Sequence, residues 1–195
     1  DPALKLHIPK REINVTHLNG IAIDDIPIAD RQFKALDKIN LGGKILGPSG
    51  LLKQNFNGTV SVQIFDKEVQ RSTLGNDQSK TMDFTILGEQ IFEGLASDVN
   101  GRFSTTFVIP KDINLNVGAA KISFIAFNND KTESVGGFSN QFNMGEINTA
   151  AVSDTQPPLI NVYLENRSFI DGGKVFNSPM LIVDFEDENG INSSG

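Results

Sequence analysis

The residue types that carry most enzyme chemistry are scarce in this sequence. Cysteine is absent, and the two histidines are His7 and His17. Without cysteine the chain supplies neither a thiolate nucleophile nor a thiolate metal ligand. Both histidines fall where polar and apolar residues alternate, so each is interpreted as a strand residue rather than a general base. No G-x-S-x-G turn presents a serine nucleophile. The sequence therefore predicts no catalytic residue and no cofactor-binding residue in this chain.

Two acidic clusters could be considered as cation ligands. The pair Asp24-Asp25 stands beside Pro27, where a solvated turn accounts for it. Residues 184–189 place oxygen ligands shortly before Gly190, an arrangement that suits calcium. They lack the full D-x-[DN]-x-[DN]-G loop with a distal glutamate, so a solvated acidic turn is the preferred interpretation. Calcium binding at residues 184–189 stays an open alternative, and no metal site is predicted. The oxygen-bearing residues there are Asp184, Glu186, Asp187, Glu188 and Asn189.

The charge and hydropathy of the chain exclude two classes of partner. Asp and Glu number 24 against 17 Lys and Arg, which gives a net charge of −7. Nucleic-acid binding needs a basic footprint, so no nucleic-acid partner is expected. No apolar run approaches the roughly 20 residues of a spanning helix, so no membrane insertion is expected. The first residues lack the basic and apolar regions of a signal peptide, and we expect the chain to begin within a larger protein.

Tight turns, alternating strands and strand breakers repeat along the chain. Asn100-Gly101 favours a tight hairpin turn, because both positions of such a turn need positive φ. Residues 103–109 then alternate between two faces, with the period of two that is typical of a half-buried strand. Pro110 ends the strand, since proline has no backbone N–H.

The same pattern predicts the other elements. Asn19-Gly20 predicts a hairpin in which Ile13, Val15 and His17 share a face, and Asn57-Gly58 predicts another tight turn. Residues 122–127 form a strand that is apolar on both faces, and we expect it near the centre of a sheet. The remaining predicted strands are residues 4–8, 39–45, 60–64, 82–86, 138–142, 160–164 and 181–185, and residues 91–96 are a short apolar run.

Two segments are predicted to be loops. Residues 24–37 form a loop that contains a single helical turn near residues 32–37, and Ile28, Phe33 and Leu36 are its expected anchors. The polar residues 66–80 form a long surface loop.

These elements predict an all-β fold, an immunoglobulin-like antiparallel β-sandwich followed by an incomplete second β-module. The sandwich takes residues 1–146. A linker with a double proline takes residues 147–158. Residues 159–195 begin a second module that is too short to close a sandwich of its own.

An ordered set of short motifs resembles one family, the gingipain-type cysteine peptidases, and within it the type IX secretion sortases of Bacteroidetes. The similar region is the one that follows the family's catalytic domain. Nearly the whole chain is covered, with the least similarity at residues 24–37 and 146–156. The motifs are D-P-A-L-K-L at 1–6, N-F-N-G-T-V at 55–60, F-D-K-E at 65–68, T-L-G-N-D at 73–77, I-F-E-G at 91–94, F-V-I-P-K-D-I at 107–113, G-G-F at 136–138, P-L-I at 158–160 and D-E-N-G-I-N at 187–192.

The resemblance implies a parent protein with a specific activity. That parent would be a cysteine peptidase at the cell surface or outer membrane of a Gram-negative bacterium. It would remove the C-terminal sorting domain of secreted cargo and attach the cargo to anionic lipopolysaccharide. Its cysteine and histidine would lie upstream of Asp1, so no catalytic residue is carried onto this chain. The implied partners are the upstream peptidase domain, and secretion components or cargo C-terminal domains.

Two other functions remain as alternatives. An adhesin or carbohydrate-binding sandwich would need exposed aromatic side chains, and the sequence has one Tyr and no Trp to stack on sugars. A structural spacer between domains of a surface protein would need no site at all.

Overall fold

The structure is a computed structural model that describes residues 12–76, 79–151 and 156–187. The predicted strand at 4–8, with His7, lies outside these residues, as do Glu188, Asn189 and Gly190. The described chain forms two compact units, and the division falls after Ala151. The predicted domain limits of 1–146, 147–158 and 159–195 stay a prediction.

The first unit is built on one nine-stranded sheet with the order β2-β1-β4-β9-β8-β5-β10-β11-β3. All pairs in it are antiparallel except β11 with β3. A separate pair, β6 and β7, completes the unit. The strands are β1 Ile13–Leu18, β2 Ile21–Ala22, β3 Gln32–Ala35, β4 Lys38–Ile45, β5 Gly58–Phe65, β6 Val69–Ser72, β7 Asp83–Ile86, β8 Gln90–Val99, β9 Arg102–Val108, β10 Gly118–Asn128 and β11 Ser134–Ile147.

The sheet folds over on itself and closes a core between its two halves. The fold occurs where β8 and β9 pair at only two positions, Asp98 with Phe103 and Val99 with Arg102. The Glu12 N–H donates to the Gly136 carbonyl at 3.0 Å, which brings the start of β1 back to β11. The predicted all-β, sandwich-like fold is thereby confirmed.

Phenylalanine rings fill much of the core between the two halves. Phe33 stacks on Phe142 with ring centroids 5.0 Å apart, and it meets Phe107 edge to face at 6.3 Å. Phe92 stacks on Phe107, with ring centroids 4.6 Å apart. Offset and edge-to-face pairs of this kind add to the stabilisation that comes from burial alone.

The two Asn-Gly hairpin turns adopt the backbone that their sequences predict. Asn19 and Gly20 have φ of 51° and 82°, and Asn100 and Gly101 have φ of 55° and 73°. The prediction for Asn57-Gly58 is wrong, because Gly58 is the first residue of β5 rather than part of a hairpin turn. A Cβ at Gly58 would lie 2.0 Å from the Phe127 carbonyl oxygen, so close approach of two backbones explains this glycine.

A bulge in β1 overturns the predicted placement of His17. The pairing with β4 shifts between Val15 and His17, where one extra residue enters β1. The shift reverses the two faces of the strand, so Leu18 is buried and His17 is exposed.

The predicted helical turn at residues 32–37 is wrong. Residues 32–35 form β3, in which Phe33 and Ala35 are fully buried. The short helical turns come earlier, at Ile23–Asp25 and Ile28–Asp30, and Ile28 is 60% exposed rather than an anchor.

Arg31 holds these two turns against the sandwich. Its guanidinium donates to the carbonyls of Ile23 and Ile26 at 2.7 and 3.0 Å and to Gln141 Oε1 at 2.8 Å. Arg31 is 7% exposed, so its charge is buried and needs these hydrogen bonds.

The second unit is a hairpin of β12 Leu159–Leu164 and β13 Leu181–Glu186, paired antiparallel. The predicted strands at 160–164 and 181–185 are confirmed. The guanidinium of Arg167 donates to both carboxylate oxygens of Asp184 on β13, at 2.7 and 2.8 Å.

Candidate functional site

The outward side of β8, β5, β10 and β11 forms the first half of a candidate interface, which we call the outer sheet face. Val60, Val62 and Ile64 of β5 point into the core and are fully buried. Strand alternation therefore places Thr59, Ser61 and Gln63 on the outer side. Register then aligns Ser61 with Leu95 of β8 on one side and with Ile125 of β10 on the other.

The outer sheet face carries large apolar side chains that are open to solvent. Leu95 is 75% exposed, Ile125 49%, Phe127 47% and Phe138 45%. Their cross-strand neighbours are small or polar, so these side chains stand above the sheet; the neighbours are Thr59, Ser61, Ser123, Ser134 and Gly136. The prediction that β10 lies inside a sheet is confirmed, but its second apolar face is uncovered in the described chain.

Charged residues occur only toward one margin of this face. Glu93 lies there and accepts hydrogen bonds from Gln63 and Gln90 at 3.1 and 3.0 Å. Lys121 of β10 pairs with Phe65 at the same margin. The centre of the face is uncharged in a chain whose net charge is −7. An uncharged, partly aromatic sheet face is typical of a surface that another protein or domain covers.

Strands β6 and β7 form the second half of the candidate interface, which we call the arm. The predicted loop at 66–80 is partly wrong, because residues 69–72 form β6 and pair with β7. Register places Val69 opposite Ile86 and Arg71 opposite Phe84, and the Thr73 N–H donates to the Met82 carbonyl at 2.9 Å.

The two sides of the arm differ in polarity. One side carries Met82, Phe84 and Ile86, which are 68%, 44% and 41% exposed. The opposite side is polar, and there the Ser72 hydroxyl donates to Asp83 Oδ1 at 2.5 Å. Within the described residues, β6 and β7 pair only with each other. The arm is therefore an amphipathic ribbon whose apolar side is open.

A buried ion pair fixes the base of the arm. Lys67 Nζ donates to Asp66 Oδ1 at 2.6 Å and to the carbonyls of Asn114 and Met144 at 2.9 and 3.3 Å. The side chains of Lys67 and Asp66 are only 16% and 11% exposed. The stem of Lys67 crosses Gly118, where a Cβ would lie 2.5 Å from Cδ. The bonds to Asn114 and Met144 hold the base of the arm to the sandwich, and the bond to Asp66 balances the charge of the ammonium group.

A cavity of about 550 Å³ lies where the base of the arm meets the outer sheet face. Glu68 at the start of the arm and Phe138 of the outer sheet face both line it. The remaining lining residues are Asp66, Lys67, Gly118, Ala119, Ala120, Lys121 and Asn140. The arm and the outer sheet face are therefore continuous.

Asp98 is a buried carboxylate at the fold of the sheet. Its side chain accepts a hydrogen bond from the Gly101 N–H at 3.1 Å through Oδ1, and among the described residues Oδ2 is the buried side-chain oxygen without a partner. Burial raises the pKa of Asp98 to about 6, and the Gly101 N–H opposes that rise. Because its Oδ1 accepts the N–H of Gly101, Asp98 stabilises the hairpin turn at Asn100-Gly101.

The residues singled out by sequence do not meet in one place. His17 is exposed, and its Nδ1 lies 3.0 Å from Thr16 Oγ1. Asp24 and Asp25 are exposed in a short helical turn. Within the described ranges, no three acidic or histidine side chains come close enough to hold a metal ion. Lys67 and Asp98 escaped the sequence reasoning, although Asp98 is in phase with the inward-facing Ala96, a signal that could have revealed it.

Calcium is expected to leave the melting temperature of the chain unchanged. The two carboxylate oxygens of Asp184 already accept hydrogen bonds from Arg167, which lower its pKa and keep it from a cation. The Tm is measured by thermal unfolding in about 5 mM calcium and again in excess chelator. This calcium concentration would saturate even a weak extracellular site, whose Kd is roughly 0.1–1 mM. A rise in Tm that chelator reverses would show that residues 184–189 bind calcium.

The described residues define a class of protein: an all-β, sandwich-like module with an apolar outer face. No helix among them is long and apolar enough to cross a membrane. Across its full length the chain is similar to part of PorU, in the crystal structure of dimeric latent PorU from Porphyromonas gingivalis. The TM-score is 0.71 and the sequence identity is 24%. At this identity the likeness shows a shared fold.

The chain spans 18% of the PorU chain that it matches. That share, and the absence of cysteine from this sequence, are consistent with a non-catalytic fragment. Spo0M, a sporulation control protein from Bacillus subtilis, is a weaker likeness, with a TM-score of 0.34 and 10% identity over 69% of this chain and 49% of its own. No protein-family model and no curated protein matches the sequence.

Proposed function

We propose that this chain is the non-catalytic β-sandwich region of a PorU-type cysteine peptidase that acts as a type IX secretion sortase. The parent cleaves the C-terminal sorting signal from secreted cargo at the bacterial surface and joins the cargo to anionic lipopolysaccharide. The chain itself supplies no nucleophile. Its role is to support the peptidase domain of the same polypeptide.

The observation that carries this proposal is the full-length structural match to a region of PorU. The ordered motifs of the sequence resemble the same family independently of the fold. This chain covers 18% of the PorU chain, so most of such a parent lies outside it. Another domain of the same parent could therefore cover the outer sheet face.

The outer sheet face is proposed to pack against the peptidase domain. Leu95, Ile125, Phe127 and Phe138 give it large apolar side chains, and apolar and aromatic side chains dominate the centres of stable interfaces. Cargo C-terminal domains and secretion components are further candidate partners of the parent. Support of the peptidase domain is the role that fits best an uncharged, apolar face exposed in this chain.

The double substitution Ile125→Glu and Phe127→Glu is expected to inactivate the parent without unfolding the module. Both side chains are about half exposed in this chain, so the free energy of unfolding of the isolated chain should fall by less than about 1 kcal/mol. In the full-length parent the two charges would be buried in the interface. Cleavage of a cargo protein bearing its C-terminal sorting domain should fall about tenfold or more.

Ser104→Glu is the matched control. Ser104 is exposed on β9, in the other half of the sandwich, so a charge there should leave cleavage unchanged. A wild-type parent that does not cleave the sorting domain would overturn the sortase proposal. Full cleavage by the double variant would overturn the role of the outer sheet face, and binding of the free chain to a glycan array would favour the adhesin alternative.

A further inference from the structure

The arm needs an external surface to be stable in one conformation. An isolated two-stranded hairpin is marginally stable in water, and three strands or packing on another layer are normally required. Met82, Phe84 and Ile86 lie together on its apolar side and remain 41–68% exposed. Polar residues occupy the other side, which can therefore remain in contact with solvent. This distribution predicts that another surface covers the apolar side of the arm and that the polar side stays solvated.

The base of the arm is anchored to the sandwich even though its apolar side is open. Lys67 and Asp66 form a largely buried ion pair at its base, and the two carbonyls that Lys67 also reaches belong to the 114–117 loop and to β11. Gly88 packs on the backbone of the opposite chain segment, where a Cβ would lie 2.2 Å from the Lys67 carbonyl oxygen. Breaking a largely buried ion pair is costly, so these contacts hold the base of the arm in place. The arm is thus anchored at its base and leaves its apolar side open.

Charge and continuity identify the kind of surface that the apolar side meets. Arg71 is the charged residue on that side, opposite Phe84, so the surface that meets it should offer a carboxylate as well as apolar groups. Glu68 and Phe138 line the same cavity, which makes the arm an extension of the outer sheet face. One partner that covers the outer sheet face is therefore in position to meet the arm.

We propose that the arm docks on the peptidase domain of the same parent polypeptide, against an apolar surface that carries a carboxylate opposite Arg71. This inference rests on the proposed function for the identity of the parent. It goes beyond that function because it assigns a second contact, made by an element outside the sandwich. The arm and the outer sheet face together would form one continuous contact surface for that domain.

Hydrogen exchange of the arm amides tests the proposal. The measurement compares this chain alone with the full-length parent, under the same buffer and pH. Amides of residues 69–72 and 83–86 should exchange at least about tenfold more slowly in the parent, because packing on a third layer stabilises their hydrogen bonds. Equal exchange in the two proteins would overturn the proposal. If the arm amides of the isolated chain are protected, and their protection increases with protein concentration, the proposal is also overturned. The occupant would then be a second copy of this chain.

Variants of the parent separate the two sides of the arm. Phe84→Ser with Ile86→Ser, and Arg71→Glu alone, should each remove the protection in the parent. Gln70→Ser with Thr85→Ser changes the polar side and should leave the protection intact. Loss of protection in all three variants would show a general failure of the hairpin rather than docking.

The outcomes also distinguish this inference from the proposed function. If the arm is protected in a parent that does not cleave sorting domains, the docking proposal stands and the sortase proposal is overturned. An unprotected arm in a parent that cleaves normally would overturn the docking alone.

Discussion

Replacing Lys67 with methionine is expected to lower the free energy of unfolding of the sandwich by about 2–4 kcal/mol, or to lower its Tm by roughly 5–15 °C. Methionine keeps the apolar stem across Gly118 but removes the ammonium group. The Asp66 carboxylate then stays largely buried without a cation, and two carbonyls lose a donor. Chemical denaturation monitored by far-ultraviolet circular dichroism measures the change.

The neighbouring Lys121→Met is the matched control, because Lys121 lines the same cavity and its ammonium group makes no hydrogen bond or ion pair with a described residue. It should change stability by less than about 0.5 kcal/mol. The double variant Asp66→Asn with Lys67→Met should recover part of the loss, since it removes both charges together. A Lys67→Met variant within about 0.5 kcal/mol of the wild type would show that the pair is solvated and does not anchor the arm.

Strand alternation and Asn-Gly turns could be predicted because both depend on near neighbours in the chain. Asn100 and Gly101 adopt positive φ for a local steric reason, and residues 103–109 alternate because successive side chains point to opposite faces. The predictions that failed depended on distant partners. Residues 32–35 are a strand because they pair in parallel with β11, more than a hundred residues later, and nothing local to them signals that partner.

Single insertions and short polar strands also escaped the pattern. The bulge in β1 reverses the faces after Val15, so a strict period of two assigned His17 to the wrong side. Strand β6 reads V-Q-R-S, with little apolar content, and its formation depends on pairing with β7. Polar composition alone could not separate it from a loop.

The candidate site was visible in the sequence only as excess hydrophobicity. The apolar residues on both faces of β10 predicted a strand inside a sheet, which is confirmed. The same pattern could not distinguish a face covered by this chain from one that awaits another domain, because Ile125 and Phe127 look alike in both cases. The arm was only half visible: residues 82–86 alternate and predicted β7, but the polar β6 and its pairing with β7 carry no local signal.

Replacing Asp98 with asparagine is expected to change the pH dependence of stability more than stability itself. The pKa of Asp98 is raised to about 6 in the folded chain, from an ordinary value of 3.8, because burial disfavours its charge. Between pH 3.8 and about 6 the folded state keeps a proton that the unfolded state releases. The unfolding free energy that this group contributes therefore falls as the pH rises through that window, and it is constant above it.

The size of this effect follows from the position of Asp98. Its side chain is 2% exposed, yet it lies a few residues from the solvated tip at Asn100, so screening reduces the cost of its charge. We expect wild-type stability to fall relative to Asp98→Asn by about 1–2 kcal/mol between pH 4 and pH 7. The asparagine variant still accepts the Gly101 N–H but buries an amide donor, and that cost is a pH-independent offset. The slope of the difference is therefore the diagnostic quantity.

Denaturant unfolding at half-unit steps between pH 4 and pH 7.5 gives this slope. Ser97→Ala alters the adjacent, outward-facing residue without removing a charge, so its difference from the wild type should stay flat. A flat difference for Asp98→Asn as well would mean that water reaches Oδ2 and keeps the pKa of Asp98 near its ordinary value. A steep one would identify the β8–β9 turn, where the two halves of the sandwich join, as the part of the fold that is weakened at neutral pH. Hydrogen exchange at residues 97–103 should then be faster at pH 7 than the intrinsic pH dependence of exchange explains.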